Sequence, residues 1–207
     1  MADSSRPEPG PSTADTSPSR CVRLTFGVGD LLEADTDAVV ISANNWLKAG
    51  SGAARAAVDR GGPDVAAALR LHRQRAAPLP RATVVTLPGG HLQDGSGRRR
   101  HLIHVVTTWY DRGPDGRLAL TLATPQHVFE AATAALREAA RLEARSVAIM
   151  PMCARPGYSV VPAEDAPRVM TQQVLQAASG LRVELAGRLE RIELVLPDLA
   201  SLAMLQG

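Results

Sequence analysis

The stretch Asp37-Ala-Val-Val-Ile-Ser-Ala-Asn44, followed by Gly50-Ser-Gly52 and the alanine-rich segment 53–60, carries the clearest structural signal in this 207-residue chain. Residues 38–43 form a nearly continuous apolar run, typical of a strand buried on both faces of a sheet. Segment 53–60 runs into Gly61-Gly-Pro63, the glycine and proline signals that end a helix. The order strand, glycine loop, helix predicts an α/β unit.

The same alternation continues to the C-terminus. Further strands are predicted at 22–26, 82–87, 102–108, 146–150 and 191–196, and further helices at 63–75, 125–144, 162–178 and 199–205. Turn-forming residues between Pro88 and Gly97 predict a long hairpin loop, and the acidic residues of 163–165 are expected in the first turn of their helix. Strands alternating with helices predict a layered α/β fold with a largely parallel or mixed sheet.

The N-terminal segment differs from the rest of the chain. Residues 1–20 are rich in Ser, Pro, Asp and Thr and contain almost no apolar side chains. Such a segment buries too little apolar surface to offset the entropy lost on ordering. We therefore predict a disordered tail over 1–20 and one folded domain over 21–207.

Composition and charge argue against several classes of function. Aromatic residues are 3% of the chain, the net charge is +2, and the dense basic run is Arg98-Arg-Arg100, so no specific nucleic-acid partner is expected. No apolar run approaches the roughly 20 residues that span a bilayer, and no signal peptide is evident. Cys21 and Cys153 lie outside any metal-ligand spacing, so we expect no metal, no cofactor and a cytoplasmic location.

Two loops are placed to bind a ligand, because open α/β sheets bind ligands beyond the carboxyl ends of their strands. The first loop runs from Asn44 to Ala53, and the second from Pro151 to Ser159. Glycines at 50 and 52 let the backbone approach a ligand, and free amides at the next helix start favour phosphate. The alternative is an ordinary strand-to-helix turn. The glycine spacing fits neither a Walker loop nor a dinucleotide fingerprint.

The segments Val28-Gly-Asp-Leu31, Asp37–Asn44 and Gly50-Ser-Gly-Ala-Ala54 together resemble the start of a macrodomain. Three later segments resemble macrodomain strands and follow in the family's order: Leu102-Ile-His-Val-Val106, Ser146-Val-Ala-Ile-Met-Pro151 and Leu194-Val-Leu-Pro-Asp198. The resemblance implies a three-layer α/β/α fold with a mixed central sheet. It also implies that the partner is ADP-ribose or an ADP-ribosylated molecule.

The resemblance assigns the base and the distal ribose to three residues. Asp30 would accept a hydrogen bond from the adenine amino group, the Leu31 amide would help to fix the base, and Asn44 would face the distal ribose. A carboxylate suits an amine donor. Each polar side chain also has a structural alternative: Asp30 could cap the turn before Leu31, and Asn44 could satisfy buried backbone at the strand end.

The resemblance also assigns the diphosphate. Backbone amides of the first loop would hold one phosphate, at Gly50, Ser51, Gly52 and Ala53, and the second loop would contribute Gly157 and Tyr158. Arg155 could pair with a phosphate, although a loop arginine is more often solvated. Tyr158 could instead pack on the surface, and His104 is expected to be a satisfied core histidine.

Departures from the family pattern leave three functions open. The stretch Ala53-Ala-Arg55 lacks the Asp that helps to activate water in the hydrolase branch, and Pro156 has no amide to donate. The first reading is a module that binds ADP-ribose. The second is a hydrolase of O-acetyl-ADP-ribose, ADP-ribosyl adducts or ADP-ribose-1''-phosphate, in which the substrate's own phosphate activates water and Asn44, as the catalytic residue, positions it. The third is a degenerate macrodomain fold that contacts protein or RNA.

Overall fold

The computed structural model describes residues 21–205, so the predicted disordered tail lies outside the described residues. The strands are β1 (Arg23–Val28), β2 (Ala38–Asn44), β3 (Val84–Gln93), β4 (Arg99–Arg112), β5 (Leu118–Thr121), β6 (Ser146–Ile149) and β7 (Arg191–Leu196). The helices are α1 (Gly52–Gly61), α2 (Pro63–Ala76), α3 (Pro125–Arg141), α4 (Ala166–Leu181) and α5 (Leu199–Ala203), with a 3-10 helix at Leu31–Glu33.

The strands form one mixed sheet in the order β1-β7-β6-β2-β4-β3, and β5 pairs with β4. The pairs β1–β7, β7–β6, β6–β2 and β2–β4 are parallel, whereas β3 and β5 run antiparallel to β4. The carboxyl ends of five neighbouring parallel strands therefore meet at one edge of the sheet. The predicted mixed sheet is confirmed.

Helices cover both faces of the sheet. Along β2, Ala38 and Val40 face a core shared with α3 and α4, while Val39 and Ile41 face a core shared with α1 and α2. All four side chains are buried, because successive residues of a strand point to opposite faces. This arrangement is the three-layer α/β/α fold that the family resemblance implied.

The prediction of a long loop between β3 and β4 is wrong. Strand β3 continues through Pro88-Gly-Gly90 to Gln93, and the connection is only a short turn that begins at Asp94. The two glycines serve close packing, because a Cβ on Gly90 would lie 2.0 Å from the carbonyl oxygen of Gly61, and Gly90 has a φ of +62°. The glycines that predicted a turn therefore allow strand β3 to pack closely against the end of α1.

Two other boundaries also differ from the sequence-based expectation. Strand β4 continues to Arg112 and pairs with β5, a strand that the sequence analysis did not predict. Helix α4 begins at Ala166 and not at Pro162, because residues 162–165 form a turn closed by the Asp165 and Ala166 amides on the Pro162 carbonyl. The acidic residues expected in the first turn therefore precede the helix.

Candidate ligand-binding cleft

A cleft of about 810 Å³ lies at the carboxyl ends of the parallel strands. It extends from Pro197, just beyond β7, to Tyr110 and Leu118 of the β4–β5 hairpin. The first loop and the start of α1 form one side, and the second loop forms the other. The sheet topology creates this cleft by bringing loops that are about 100 residues apart in sequence to one edge, as open α/β sheets do.

Most of the residues predicted to bind the ligand line this cleft. Those that line it are Asn44, Gly50, Ser51, Gly52, Ala53, Arg155 and Tyr158. Asp30, Leu31 and Gly157 are not among its lining residues. The structure therefore brings together Asn44 and most of the residues assigned to the diphosphate. It places Gly157, and both residues assigned to the base, outside the cleft lining.

The glycine loop ends in an uncapped helix N-terminus. Ser51 precedes α1 in an extended conformation, and its side chain makes no capping hydrogen bond. Gly52 has a φ of +61°, and a Cβ on either Gly50 or Gly52 would meet no other atom within 4 Å. The first amides of a helix lack partners within the helix, so these amides are available to an anion in the cleft.

Asn44 holds the first loop in place. Its Oδ1 accepts hydrogen bonds from the amides of Trp46 (3.1 Å) and Lys48 (3.0 Å), and its Nδ2 donates to the Lys48 carbonyl at 2.7 Å. These bonds fix a turn in which Leu47 has a φ of +50°. Since an amide nitrogen has two hydrogens, Asn44 keeps one donor for a ligand while it shapes the loop.

Asn45 is a positioning residue that the sequence analysis missed. It is completely buried, its Nδ2 donates to the Tyr110 carbonyl, and its Oδ1 accepts from the Tyr110 amide, both at 3.0 Å. The side chain thus imitates a neighbouring strand and fixes the β4–β5 hairpin against the first loop. The sequence shows an Asn directly after a predicted strand, which is a signal for a structural role. Only the fold reveals that this Asn is buried and that its partner is 65 residues away.

The second loop is built around a buried cysteine and a turn. Cys153 has a φ of +54°, its Sγ lies 3.7 Å from the Thr107 carbonyl oxygen, and burial raises the pKa of the thiol. A tight turn follows, in which the Tyr158 amide donates to the Arg155 carbonyl and Gly157 has a φ of +81°. A neutral, buried thiol stabilises the loop and is a poor nucleophile.

The Tyr158 segment is attached to the hairpin by backbone hydrogen bonds. The Ala123 amide donates to the Tyr158 carbonyl at 3.0 Å, and the Val160 amide donates to the Ala123 carbonyl at 2.9 Å. Burial, and then the neighbouring Tyr158, raise the pKa of Tyr110. The two tyrosines therefore lie close together at one end of the cleft, and Tyr110 is neutral at neutral pH.

Asp30 has two partners within the protein. Its Oδ1 accepts the Leu32 amide at 2.9 Å at the start of the 3-10 helix, and its Oδ2 accepts a hydrogen bond from Arg60 of α1. The capping role that the sequence analysis considered is therefore present. An adenine amino group at Asp30 would have to share an oxygen with one of these donors.

The charged residues that line the cleft are all basic. Among the described residues that line it, Lys48 and Arg155 are charged, and there is no Asp, Glu or His. Neither cation belongs to an ion pair within residues 21–205. A cleft with two free cations and free helix amides attracts anions, and the part of its lining that the structure describes offers no carboxylate or imidazole as a general base.

The described residues contain no group of three potential metal ligands from His, Cys, Asp and Glu. Among residues 21–205, no helix combines the length and the apolar character that crossing a membrane requires.

Comparison with known proteins identifies the family. The sequence profile of the Macro domain family matches residues 40–170, which is more than half of the chain. The chain therefore belongs to the macrodomain family, as the sequence resemblance suggested. An uncharacterized protein of Sulfurisphaera tokodaii is 31% identical over 121 residues, a match that covers 58% of each chain. The chain thus spans little more than half the length of this curated relative.

Solved structures show the same fold. The Oceanobacillus iheyensis macrodomain with ADP is 21% identical, with a TM-score of 0.63, and the match covers 87% of this chain and 86% of that one. A variant of that protein with ADPR is 20% identical, with a TM-score of 0.63 and coverages of 87% and 88%. The Trypanosoma brucei macrodomain in complex with ADP is 16% identical, with a TM-score of 0.65 and coverages of 87% and 66%.

Proposed function

We propose that this protein binds ADP-ribose, free or attached to another molecule, in the cleft at the carboxyl edge of its sheet. The observation that carries the proposal is the electrostatics of that cleft. It combines the uncapped N-terminus of α1 with Lys48 and Arg155, and no acidic residue lines it in the described part of the chain. A diphosphate carries two negative charges, which such donors stabilise.

The family relationship supports the choice of ligand. Solved macrodomains of the same fold were crystallised with ADP or ADPR. In the proposed complex, the diphosphate lies between the loop at residues 50–53 and the loop at residues 155–158. The distal ribose faces the remaining Nδ2 hydrogen of Asn44, and the base extends toward Pro197 and Asp30.

The cleft favours binding over hydrolysis. A general base must lie within hydrogen-bond reach of the water that it activates. Asp59, the acid nearest in sequence to the start of α1, pairs with Arg55 and is not among the lining residues. Pro156, which has no amide, lies in the turn of the second loop, so the amide donors on that side are fewer. We therefore propose that the protein is a binding module. Its cytoplasmic location remains a prediction from the sequence.

Two glycine variants test the binding site with a matched control. A Cβ on Gly50 or on Gly180 would meet no atom within 4 Å, and neither glycine has a positive φ. Gly50 lines the cleft, whereas Gly180 lies near the end of α4. Calorimetry should show saturable ADP-ribose binding to the wild type and, with similar affinity, to Gly180→Val. Gly50→Val should bind ADP-ribose at least about tenfold more weakly than the wild type does.

Two results would contradict the proposal. One is the absence of saturable heat with ADP-ribose in the wild type. The other is equal affinity of Gly50→Val and Gly180→Val, since that would place the ligand elsewhere. Acetate release from O-acetyl-ADP-ribose is expected to stay at the rate of the uncatalysed reaction. Turnover that Asn44→Ala abolishes would establish the hydrolase alternative.

A further inference from the structure

One end of the cleft has a chemistry that the diphosphate does not use. We define the hairpin end of the cleft by Thr108 and Tyr110 of β4, Leu118 of β5, and Tyr158 of the second loop, all of which line the cleft. This end presents two phenol rings, a leucine and a threonine, and no charged group of its own. Apolar and aromatic side chains form the walls of most small-molecule sites.

The hairpin end lies next to the place proposed for the distal ribose. Asn44 pairs in register with Thr108, and Tyr110 follows two residues further along β4. Two residues of a strand span about 7 Å. The two hydrogen bonds from Asn45 fix Tyr110 relative to the Asn44 loop. A group carried by the ribose, beyond Asn44, would therefore meet Tyr110.

Strand alternation places Tyr110 and Leu118 on one face of the hairpin, which they share with Leu120 and Arg112, neither of which lines the cleft. Tyr110 pairs with Leu120, and Arg112 pairs with Leu118, so Tyr110 and Leu118 project from the same face of the hairpin. Asp111 lies on the other face, where its carboxylate accepts hydrogen bonds from the Trp109 indole and the Thr121 hydroxyl. The hairpin thus keeps its acidic group away from the cleft.

The Tyr158 segment of the second loop, which forms the wall opposite the hairpin, is hydrogen-bonded to the chain next to that hairpin. The hydrogen bonds through Ala123 join the Tyr158 segment to the chain just after β5. These bonds attach Tyr158 to the hairpin that carries Tyr110 and Leu118. Leu118 is 41% exposed, which is high for a leucine in a cleft, so an occupant of the hairpin end would bury apolar surface that now contacts water.

We propose that the hairpin end of the cleft binds an uncharged aromatic group attached to the distal ribose of ADP-ribose. This inference rests on the proposed function. A cationic group is disfavoured because Lys48 and Arg155 line the same cleft without an acidic residue. An anionic group gains more at the amides of α1 than beside two phenol rings. An uncharged ring gains both apolar burial and aromatic contact.

Two ADP-ribose glycosides test the inference. One carries a benzyl group on the 1''-oxygen, and the other carries a methyl group on the same atom. Calorimetry with the wild type should show that the benzyl glycoside binds about tenfold more tightly than the methyl glycoside, the gain expected from burying one aromatic ring against others. The ratio of the two affinities removes effects shared by both ligands.

A matched pair of leucine variants locates the effect. Leu118 and Leu122 are about equally exposed, at 41% and 39%, but only Leu118 lines the cleft. The benzyl preference should fall to about twofold or less in Leu118→Asn and stay near tenfold in Leu122→Asn. Tyr110→Ala should reduce it as well, and circular dichroism would verify that each variant folds.

The outcomes separate this inference from the proposed function. If the wild type binds ADP-ribose but shows no benzyl preference, the inference is wrong and the proposed function stands. If Leu122→Asn loses the preference as fully as Leu118→Asn does, the ring lies outside the hairpin end and the inference is again wrong. If ADP-ribose and both glycosides fail to bind, both proposals are wrong.

Discussion

The two edges of the sheet use charge in opposite ways. At the carboxyl edge, a cleft of about 810 Å³ contains two cations that have no acidic partner among the described residues. At the amino edge, a smaller crevice of about 430 Å³ has both signs of charge, including Asp37, Arg98 and Arg145. The difference separates charges that serve the fold from charges that remain available to a ligand.

The pairing at the amino edge is extensive. Arg98 donates to Asp37 at 2.7 Å and to Asp94 at 3.1 Å, and Arg145 lies 2.7 Å from Glu190. Asp37 also accepts the amides of Arg145 and Ser146, both at 2.8 Å. Because these charges already have partners, the crevice gains little by binding an ion, and its contacts align the starts of β2 and β6.

Among the changes that test this difference between the two edges, Asp37→Ala is expected to have the largest effect. The side chain is 16% exposed, and its loss leaves the amides of Arg145 and Ser146 without their acceptor and removes one of the two carboxylates that pair with Arg98. We expect the free energy of unfolding to fall by about 3 kcal/mol. Urea unfolding would measure this change, and the affinity of the folded fraction for ADP-ribose should not change.

Asp59→Ala is the control for that experiment. Asp59 pairs with Arg55 on the surface of α1, and both side chains are more than half exposed. Such an exposed pair contributes little to stability, so Asp59→Ala should leave the free energy of unfolding nearly unchanged. Equal destabilisation by Asp37→Ala and Asp59→Ala would mean that the amino edge does not hold the sheet together.

Acid should weaken the interior of the sheet before it weakens the amino edge. His104 is buried between Ile41 and Val85, and its Nε2 has no hydrogen-bond partner among the described residues, so the expectation of a satisfied histidine is wrong for that nitrogen. Burial, with a smaller contribution from His72, lowers the pKa of His104 to about 4. Between this pKa and the ordinary histidine pKa of 6.5, His104 binds a proton in the unfolded chain and stays neutral in the folded protein.

The direction of this pH effect follows from linkage. The stabilisation is fully present above pH 6.5, the usual pKa of histidine, and it is lost as the pH falls toward 4, by about 2 kcal/mol at pH 4.5. Asp94 stays ionised in this window, because its hydrogen bond with Ser96 lowers its pKa to about 2. Urea unfolding of His104→Leu should show much less pH dependence between 6.5 and 4.5 than the wild type.

The smallest expected change concerns the free cations. The variants Lys48→Gln and Arg155→Gln should each weaken ADP-ribose binding about tenfold, and each should reduce the dependence of affinity on salt. Arg145→Gln, at the amino edge, removes a paired cation and should leave the affinity unchanged. Calorimetry at two salt concentrations would measure this contrast. Equal losses at the two edges would point to the net charge of the protein as the cause.

The sequence predicted the elements that repeat a pattern and missed those that depend on distant partners. The apolar run of β2 and the helical spacing of α3 were sufficient to predict both. The glycines at 89 and 90 were read as a loop, because only the structure shows that Gly61 packs against them. Strand β5 was missed because its four residues form a strand only through pairing with β4.

The candidate site divides in the same way. The loop at residues 50–53 was predictable, because glycine at a helix start has a local physical meaning. The role of Asn45 was not predictable, since its partner is Tyr110, and neither was the contact between Arg60 and Asp30. The capping of the 3-10 helix by Asp30 was weighed as an alternative, and the structure contains it.

The sequence by itself determined the family, the layered fold and the two loops that face each other, because these follow from local periodicity and from short motifs in a fixed order. The tertiary structure alone decided which charges are paired and which are free. It also decided that the β4–β5 hairpin closes one end of the cleft. The physical reason is that hydrogen bonds, ion pairs and burial join residues distant in sequence, and no local pattern records them.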